Sequence, residues 1–185
     1  MCHPPCMMDL PQHVLDFWRE AGPSRWFRKD DAFDADFRAR FLGAHEAATR
    51  GDLDAWARDP DGALALLLLL DQFPRNAFRG TARMYASDAK ARAVARAAID
   101  VGFDKDFEPD LRNFFYLPLM HSEDLADQDR AVELARGIGG EPLRFALMHR
   151  EIIEKFGRFP HRNEMLGRST TPEERKYLAD GGFAG

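Results

Sequence analysis

Three stretches of the chain collect the side chains that could do chemistry. The first is Gln72-Phe73-Pro74-Arg75-Asn76 with Phe78-Arg79-Gly80-Thr81, and the second is Tyr116-Leu117-Pro118-Leu119-Met120-His121-Ser122-Glu123. The third is Arg158-Phe159-Pro160-His161-Arg162-Asn163, continued through Glu164, Arg168, Ser169 and Thr170. Each runs from an apolar helical pattern into a proline, then presents Arg, Asn, His or Glu. Proline lacks the N–H a helix interior needs, so the pattern predicts a helix end at each proline. Polar groups would then gather where helix carbonyls lack partners.

Two kinds of chemistry fit these residues. Guanidinium forks on Arg75, Arg79, Arg158, Arg162 and Arg168 match the paired oxygens of a carboxylate or phosphate. Asn76 and Asn163 would orient such an anion. Tyr116 and His161 complete the expected ligand-binding set of Arg75, Asn76, Arg79, Tyr116, His161, Arg162 and Asn163. Trp18, Trp26, Phe27 and Tyr116 would form an aromatic wall. His121 and Glu123 are the acid/base candidates: histidine titrates near neutrality, and burial can tune a glutamate upward. The alternative is structural. The Arg and Asn N–H groups would cap helix-end carbonyls and pair with Asp71, Glu123 and Glu164. Ser122 would be an N-cap, Glu123 a first-turn dipole partner, and His121 a donor to a loop carbonyl. Adjacent residues point different ways, so His121-Ser122-Glu123 is no triad on spacing alone.

His149 sits beside the apolar stripe of its helix and reads as a core or boundary histidine. No His-Glu-x-x-His pattern joins His121, His149 and His161, so no metal site is expected. Cys2-His3-Pro4-Pro5-Cys6 has metal-like spacing but no second ligand pair. Phosphate-cradling glycine loops of the common types are missing from the sequence, which weighs against a nucleotide-driven enzyme or a dinucleotide oxidoreductase. The residues select no particular reaction, cofactor or oligomeric state.

Helices must position these groups. Helical patterns are predicted over Pro11–Glu20 with Asp9 as cap, Asp31–Thr49 with Phe33, Phe37 and Phe41 on one face, and Asp59-Pro60 to Phe73. The last contains Ala63–Leu70, too short to cross a membrane and so a helix buried on all sides. Further helices are expected from Ser87 or Asp88 to Val101, with Val94, Ala97, Ala98 and Val101 inward. Others follow from Pro109, from Glu123 to Arg136, and from Pro142 with Phe145, Met148, Ile152 and Phe156 in one stripe. Thr171-Pro172-Glu173-Glu174 is a capping box for a short last helix. No period-two strands occur, so the expected class is all-α, around eight helices paired antiparallel through short connections.

The chain has 185 residues, 45% hydrophobic and 31% charged, which are values for one globular domain. A net charge of −5 argues against a general nucleic-acid or acidic-membrane binder. The only cysteines, Cys2 and Cys6, stand in a tail expected at residues 1–8, ahead of a single helical domain over 9–185. That tail lacks the features of a signal peptide, and the cysteine usage fits a reducing cytoplasm.

The three stretches, with Leu15-Asp16-Phe17-Trp18 and Trp26-Phe27, resemble the motifs of a bacterial domain-of-unknown-function family numbered 924. The resemblance covers nearly everything after the tail. It implies a right-handed array of helix pairs similar to tetratricopeptide repeats and carries no established activity. The expected function is binding of a small anionic molecule between helix pairs. The alternatives are a peptide-binding scaffold of tetratricopeptide-like form, a hydrolase or transferase using His121 and Glu123, and a purely structural network of the Arg, Asn and His groups.

Overall fold

The computed structural model describes residues 11–185, and among them there are helices and turns but no strand. The tail at 1–8, the Cys2/Cys6 spacing and the Asp9 cap lie outside the described residues. The described residues divide into two compact units, residues 11–79 with 83–118, and residues 80–82 with 119–185.

The first unit opens with α1 (Pro11–Ala21), stopped by Gly22 at φ 70°, and the single turn α2 (Pro23–Trp26). The Trp26 indole N–H donates to the Trp18 carbonyl at 2.7 Å and fixes that corner. Helix α3 (Asp31–Arg50) starts on Asp30, whose carboxylate accepts from the N–H groups of Ala32 and Phe33. Its every-fourth-residue row is buried as the spacing predicts: Phe33, Phe37, Phe41, Ala44 and Ala48. Phe17 of α1 stacks on Phe33 and Phe37 at 5.2 and 5.1 Å. Gly51 ends α3 in the left-handed region, φ 96°.

Asp59 caps α4 (Pro60–Leu67), and every residue from Ala63 to Leu70 is at most 1% exposed. The helical path does not end at Phe73, contrary to the pattern's expectation. A π-helical turn, Leu68–Gln72, leads directly into α5 (Phe73–Ala77), with Pro74 inside the path. The physical reason is local. In the π turn the Phe73 N–H reaches back to the Leu68 carbonyl. Pro74 has no N–H to give the carbonyls of Leu70 or Leu69. Side chains replace it: the Ser87 hydroxyl donates to the Leu70 carbonyl at 2.6 Å, and His45 Nδ1 lies 2.8 Å from the Leu69 carbonyl. A buried backbone carbonyl without a partner is costly, so these two residues make the passage through Pro74 tenable.

Ser87 therefore holds the N-cap position of α6 (Asp88–Asp100) without a capping bond, its hydroxyl being directed to Leu70. The inward face of α6 is also rotated from expectation. Ala91, Ala95, Ala98 and Ile99 are buried, while Ala97 faces solvent and Val101 is 65% exposed. This mostly alanine face packs on α4; Ala98 is inward as expected and Val94 is half-buried. Helix α7 (Pro109–Met120) contains Pro118 rather than stopping at it, and ends two residues later.

The second unit holds α8 (Leu125–Arg136), α9 (Gly140–Phe156) and α10 (Pro172–Ala179). Asp124, not Ser122, caps α8 by accepting from the Ala126 N–H at 2.9 Å. The Ser122 hydroxyl instead donates to Asp127 at 2.6 Å. The Gln128 amide donates to the carbonyls of Met120 and Ser122 at 2.7 and 2.6 Å, tying the approach to α8. In α9 the buried face is Ala146, His149, Ile152 and Ile153. Of the expected stripe, Ile152 is buried, Met148 and Phe156 are half-buried, and Phe145 is 36% exposed. Gly157 ends α9 at φ 69°, and Pro160–Arg162 form a 3-10 turn. The Thr171/Glu174 capping box of α10 is complete. Among the described residues no helix is long and apolar enough to cross a membrane.

Candidate functional site

The turn after α9 is built on Phe159, which is fully buried with Ile152 and Ile153. Its N–H donates to Glu123 Oε1 at 2.8 Å and its carbonyl accepts from Arg168 Nη2 at 3.1 Å. Arg168 grips the same Glu123 through both terminal nitrogens, at 2.7 and 3.0 Å, and donates from Nε to Asn163 Oδ1 at 3.0 Å. The Asn163 amide donates onward to Glu174 at 3.0 Å. Glu174 also accepts from Arg158 at 2.6 and 2.9 Å and from the Thr171 N–H at 2.8 Å. One continuous chain of bonds therefore runs Glu123–Arg168–Asn163–Glu174–Arg158.

Both carboxylates in it are held ionised. Burial alone would raise Glu123, but its hydrogen bonds from Arg168 and Phe159 carry it below the usual range. The Arg158 hydrogen bond, against the opposing effect of burial, takes Glu174 down to about 2. Glu123 thus has no proton to give near neutrality and its oxygens serve the turn.

The groups that meet the Phe159 ring are basic. The Arg162 guanidinium, 6% exposed, lies 4.4 Å from the Phe159 ring centroid. His149 and His161 meet the same ring at 5.4 and 5.6 Å. His121 meets His149 at 6.3 Å. Phe183, beyond α10, sits edge-on to both His149 and His161, at 4.8 and 5.2 Å. His149 Nδ1 is 2.7 Å from the Phe145 carbonyl, the satisfied boundary histidine that its helical position implies. His161 differs. Burial first, then the Arg162 guanidinium, push its imidazole down to about 3, with His149 and His121 acting in the same direction and Glu123 opposing. It is neutral at ordinary pH, and its buried Nδ1 has no hydrogen-bond partner among the described residues. Also among the described residues, no group of three His, Cys, Asp or Glu side chains is arranged to hold a metal ion.

The first unit treats its candidates differently. Arg75 forms a two-pronged pair with Asp88 at 3.0 and 3.2 Å, donates to the Asp71 carbonyl at 2.7 Å, and lies 3.2 Å from the Asp71 carboxylate. Asn76 and Arg79 share Asp34, at 2.7 and 3.0 Å. The Tyr116 hydroxyl donates to Asp104 at 2.7 Å, and burial with that bond raises its pKa. These are internal pairs. Of the expected aromatic wall, Trp18 and Trp26 are buried core stacked at 6.0 Å, while Phe27 is 64% exposed on Phe114.

His121, Glu123, His161, Arg162 and Asn163 thus belong to the second unit, and Arg75, Asn76, Arg79 and Tyr116 to the first. Sequence reasoning missed Phe183 and Asp34, and gave Glu174 a capping role alone. Gly181-Gly182 ahead of an aromatic was the available sign for Phe183. Glu174 was legible as a capping residue. Asp34 offered no sign beyond its place in the first turn of α3.

A solved structure of a protein of unknown function, ATU0120 from Agrobacterium tumefaciens, is similar to this chain at 56% identity with a TM-score of 0.91. The match covers 92% of this chain and 97% of that one. No curated protein matches the chain. The family model for "Bacterial protein of unknown function (DUF924)" matches residues 14–182. The chain therefore belongs to this bacterial family, as the motifs around Pro74, Pro118 and Pro160 implied.

Proposed function

We propose that the protein binds a small anionic molecule at the basic cluster of the second unit, with His161 and Arg162 holding the charge. One observation carries this reading: the desolvated His161 imidazole keeps a buried Nδ1 without a hydrogen bond among the described residues, while Arg162, His149 and His121 surround it. A proton taken up by His161 would be repelled by the Arg162 guanidinium in a low-dielectric place, and a bound anion would offset that repulsion. The same anion would raise the affinity of His161 for a proton and give its N–H a partner. His121 is the acid/base candidate if a reaction follows, since Glu123 is committed to Phe159 and Arg168. Arg75, Asn76, Arg79 and Tyr116 serve as internal ties in this reading, because aspartates already occupy them. The cytoplasmic assignment rests on composition.

Thermal denaturation with and without inorganic phosphate, at matched ionic strength, tests it. A ligand that binds the native state raises Tm by mass action. Phosphate should stabilise the wild type, and His161→Asn and Arg162→Met should lose that gain while retaining their helical circular dichroism. An equal response of all three proteins would reject the site.

A second reading, the tetratricopeptide-like peptide scaffold, draws on a groove of about 570 Å³ beside α8 and α9. It is lined by Asp129, Val132, Glu133, Arg136, Leu147 and Arg150. Leu147 is 41% exposed there, while Arg150 is already bound to Asp129 and Glu154. Hydrogen exchange that slows along α8 and α9 on adding a peptide library would favour this reading; slowing at 158–168 with phosphate favours the first.

A further inference from the structure

We infer that the segment Gly181–Gly185 is a strap that closes the basic cluster, with Phe183 as its plug. The inference rests on the anion-site reading above. The segment leaves α10 on two glycines. Gly181 takes φ 86°, a conformation that side chains disfavour. Gly182 lies so close to Tyr177 that a Cβ would stand 2.5 Å from its ring and 2.6 Å from its carbonyl oxygen. Glycine at both positions lets the chain fold back over α10 and the turn at Phe159.

What the segment covers is the site itself. The Phe183 ring is half-buried against the Ile152, Ile153 and Phe159 cluster and stands edge-on to the two imidazoles, at 70° to His149 and 86° to His161. The backbone of Gly185 lies across His161 as well, since a Cβ there would meet His161 Cδ2 at 3.2 Å. The attachment is slight. Beyond Gly182, the one hydrogen bond among the described residues is the Phe183 N–H to the Tyr177 hydroxyl, 2.9 Å. A ring in a slot and a single hydrogen bond, carried on a two-glycine hinge, can release without disturbing α9 or α10. While the ring is seated, the face of His161 toward Phe183 is occupied. An anion and the strap therefore compete, and the measured affinity is the intrinsic one reduced by the closed fraction.

Two variants open the strap by unrelated means. Phe183→Ala removes the plug, and Gly182→Ala keeps it but forces the hinge off Tyr177. Titration of the full chain with inorganic phosphate, followed by calorimetry, reads the effect. Both variants should bind phosphate about tenfold tighter than the wild type, the scale expected when an aromatic edge contact that favours the closed form is lost. His161→Asn in the Phe183→Ala background should remove the binding. If the wild type binds phosphate through His161 and neither variant binds tighter, the strap is overturned while the site stands. If none of the proteins binds phosphate, both fall.

Discussion

Lowering the pH from 7 to 5 should destabilise this protein through His161, and by an amount that follows from its surroundings. The free imidazole has a pKa of 6.5, and burial beside Arg162 and His149 brings it to about 3. Folding lowers the pKa, so between these values the unfolded chain takes up a proton that the folded chain refuses. Stability is complete above the unfolded value and falls as pH drops below it. Each unit of pH in that window is worth about 1.4 kcal/mol, so the 1.5 units from 6.5 to pH 5 amount to ~2 kcal/mol. Other groups separate cleanly. Glu123 and Glu174 have lowered pKa values, so their stabilisation fades only as pH falls below the ordinary 4.5. His45, lowered chiefly by burial, contributes the same sign but equally to any His161 variant. Urea unfolding of the wild type and His161→Asn at pH 7 and pH 5 isolates the effect. The wild type should lose ~2 kcal/mol more than the variant. Parallel losses in the two proteins would refute the claim that His161 is held desolvated beside Arg162.

Three further outcomes concern the frame. Ser87→Ala should cost about 2 kcal/mol in urea unfolding, because it strands the buried Leu70 carbonyl that Pro74 cannot serve. Thr171→Ala should cost about 1 kcal/mol by removing the hydroxyl that accepts from the Glu174 N–H, while the bond from the residue 171 N–H to the Glu174 carboxylate stays. Gly62→Ala should cost about 3 kcal/mol, since its Cβ would fall 2.1 Å from the Trp56 carbonyl oxygen at the first turn of α4.

Local signals carried much of the fold. The Phe33, Phe37, Phe41 row, the Asp59-Pro60 helix start and the Thr171 box were legible because each acts within one turn of helix. The prolines misled, for a physical reason. Pro74 and Pro118 lie inside helical paths, and the Pro74 path is supported by Ser87 and His45, residues distant in sequence. Periodicity held on α6 for Ala98 and in part for the half-buried Val94, but not for Ala97 or Val101, which are exposed. At the site, sequence named the charged residues but not their pairing. Whether Arg75 meets a ligand or Asp88 depends on tertiary contact. The same limit hid Phe183, which gains meaning only when it lies against His149 and His161.

The most direct measurement is the histidine titration of the wild type by long-range nitrogen–proton NMR, in chloride and then in inorganic phosphate. In chloride the His161 imidazole should stay neutral far below its ordinary pKa of 6.5, near the value of about 3. Phosphate at the cluster should raise that midpoint and shift the His161 nitrogen signals more than those of His45, which belongs to the first unit. A His161 that titrates normally in chloride, or one indifferent to phosphate while the protein is folded, would contradict the account.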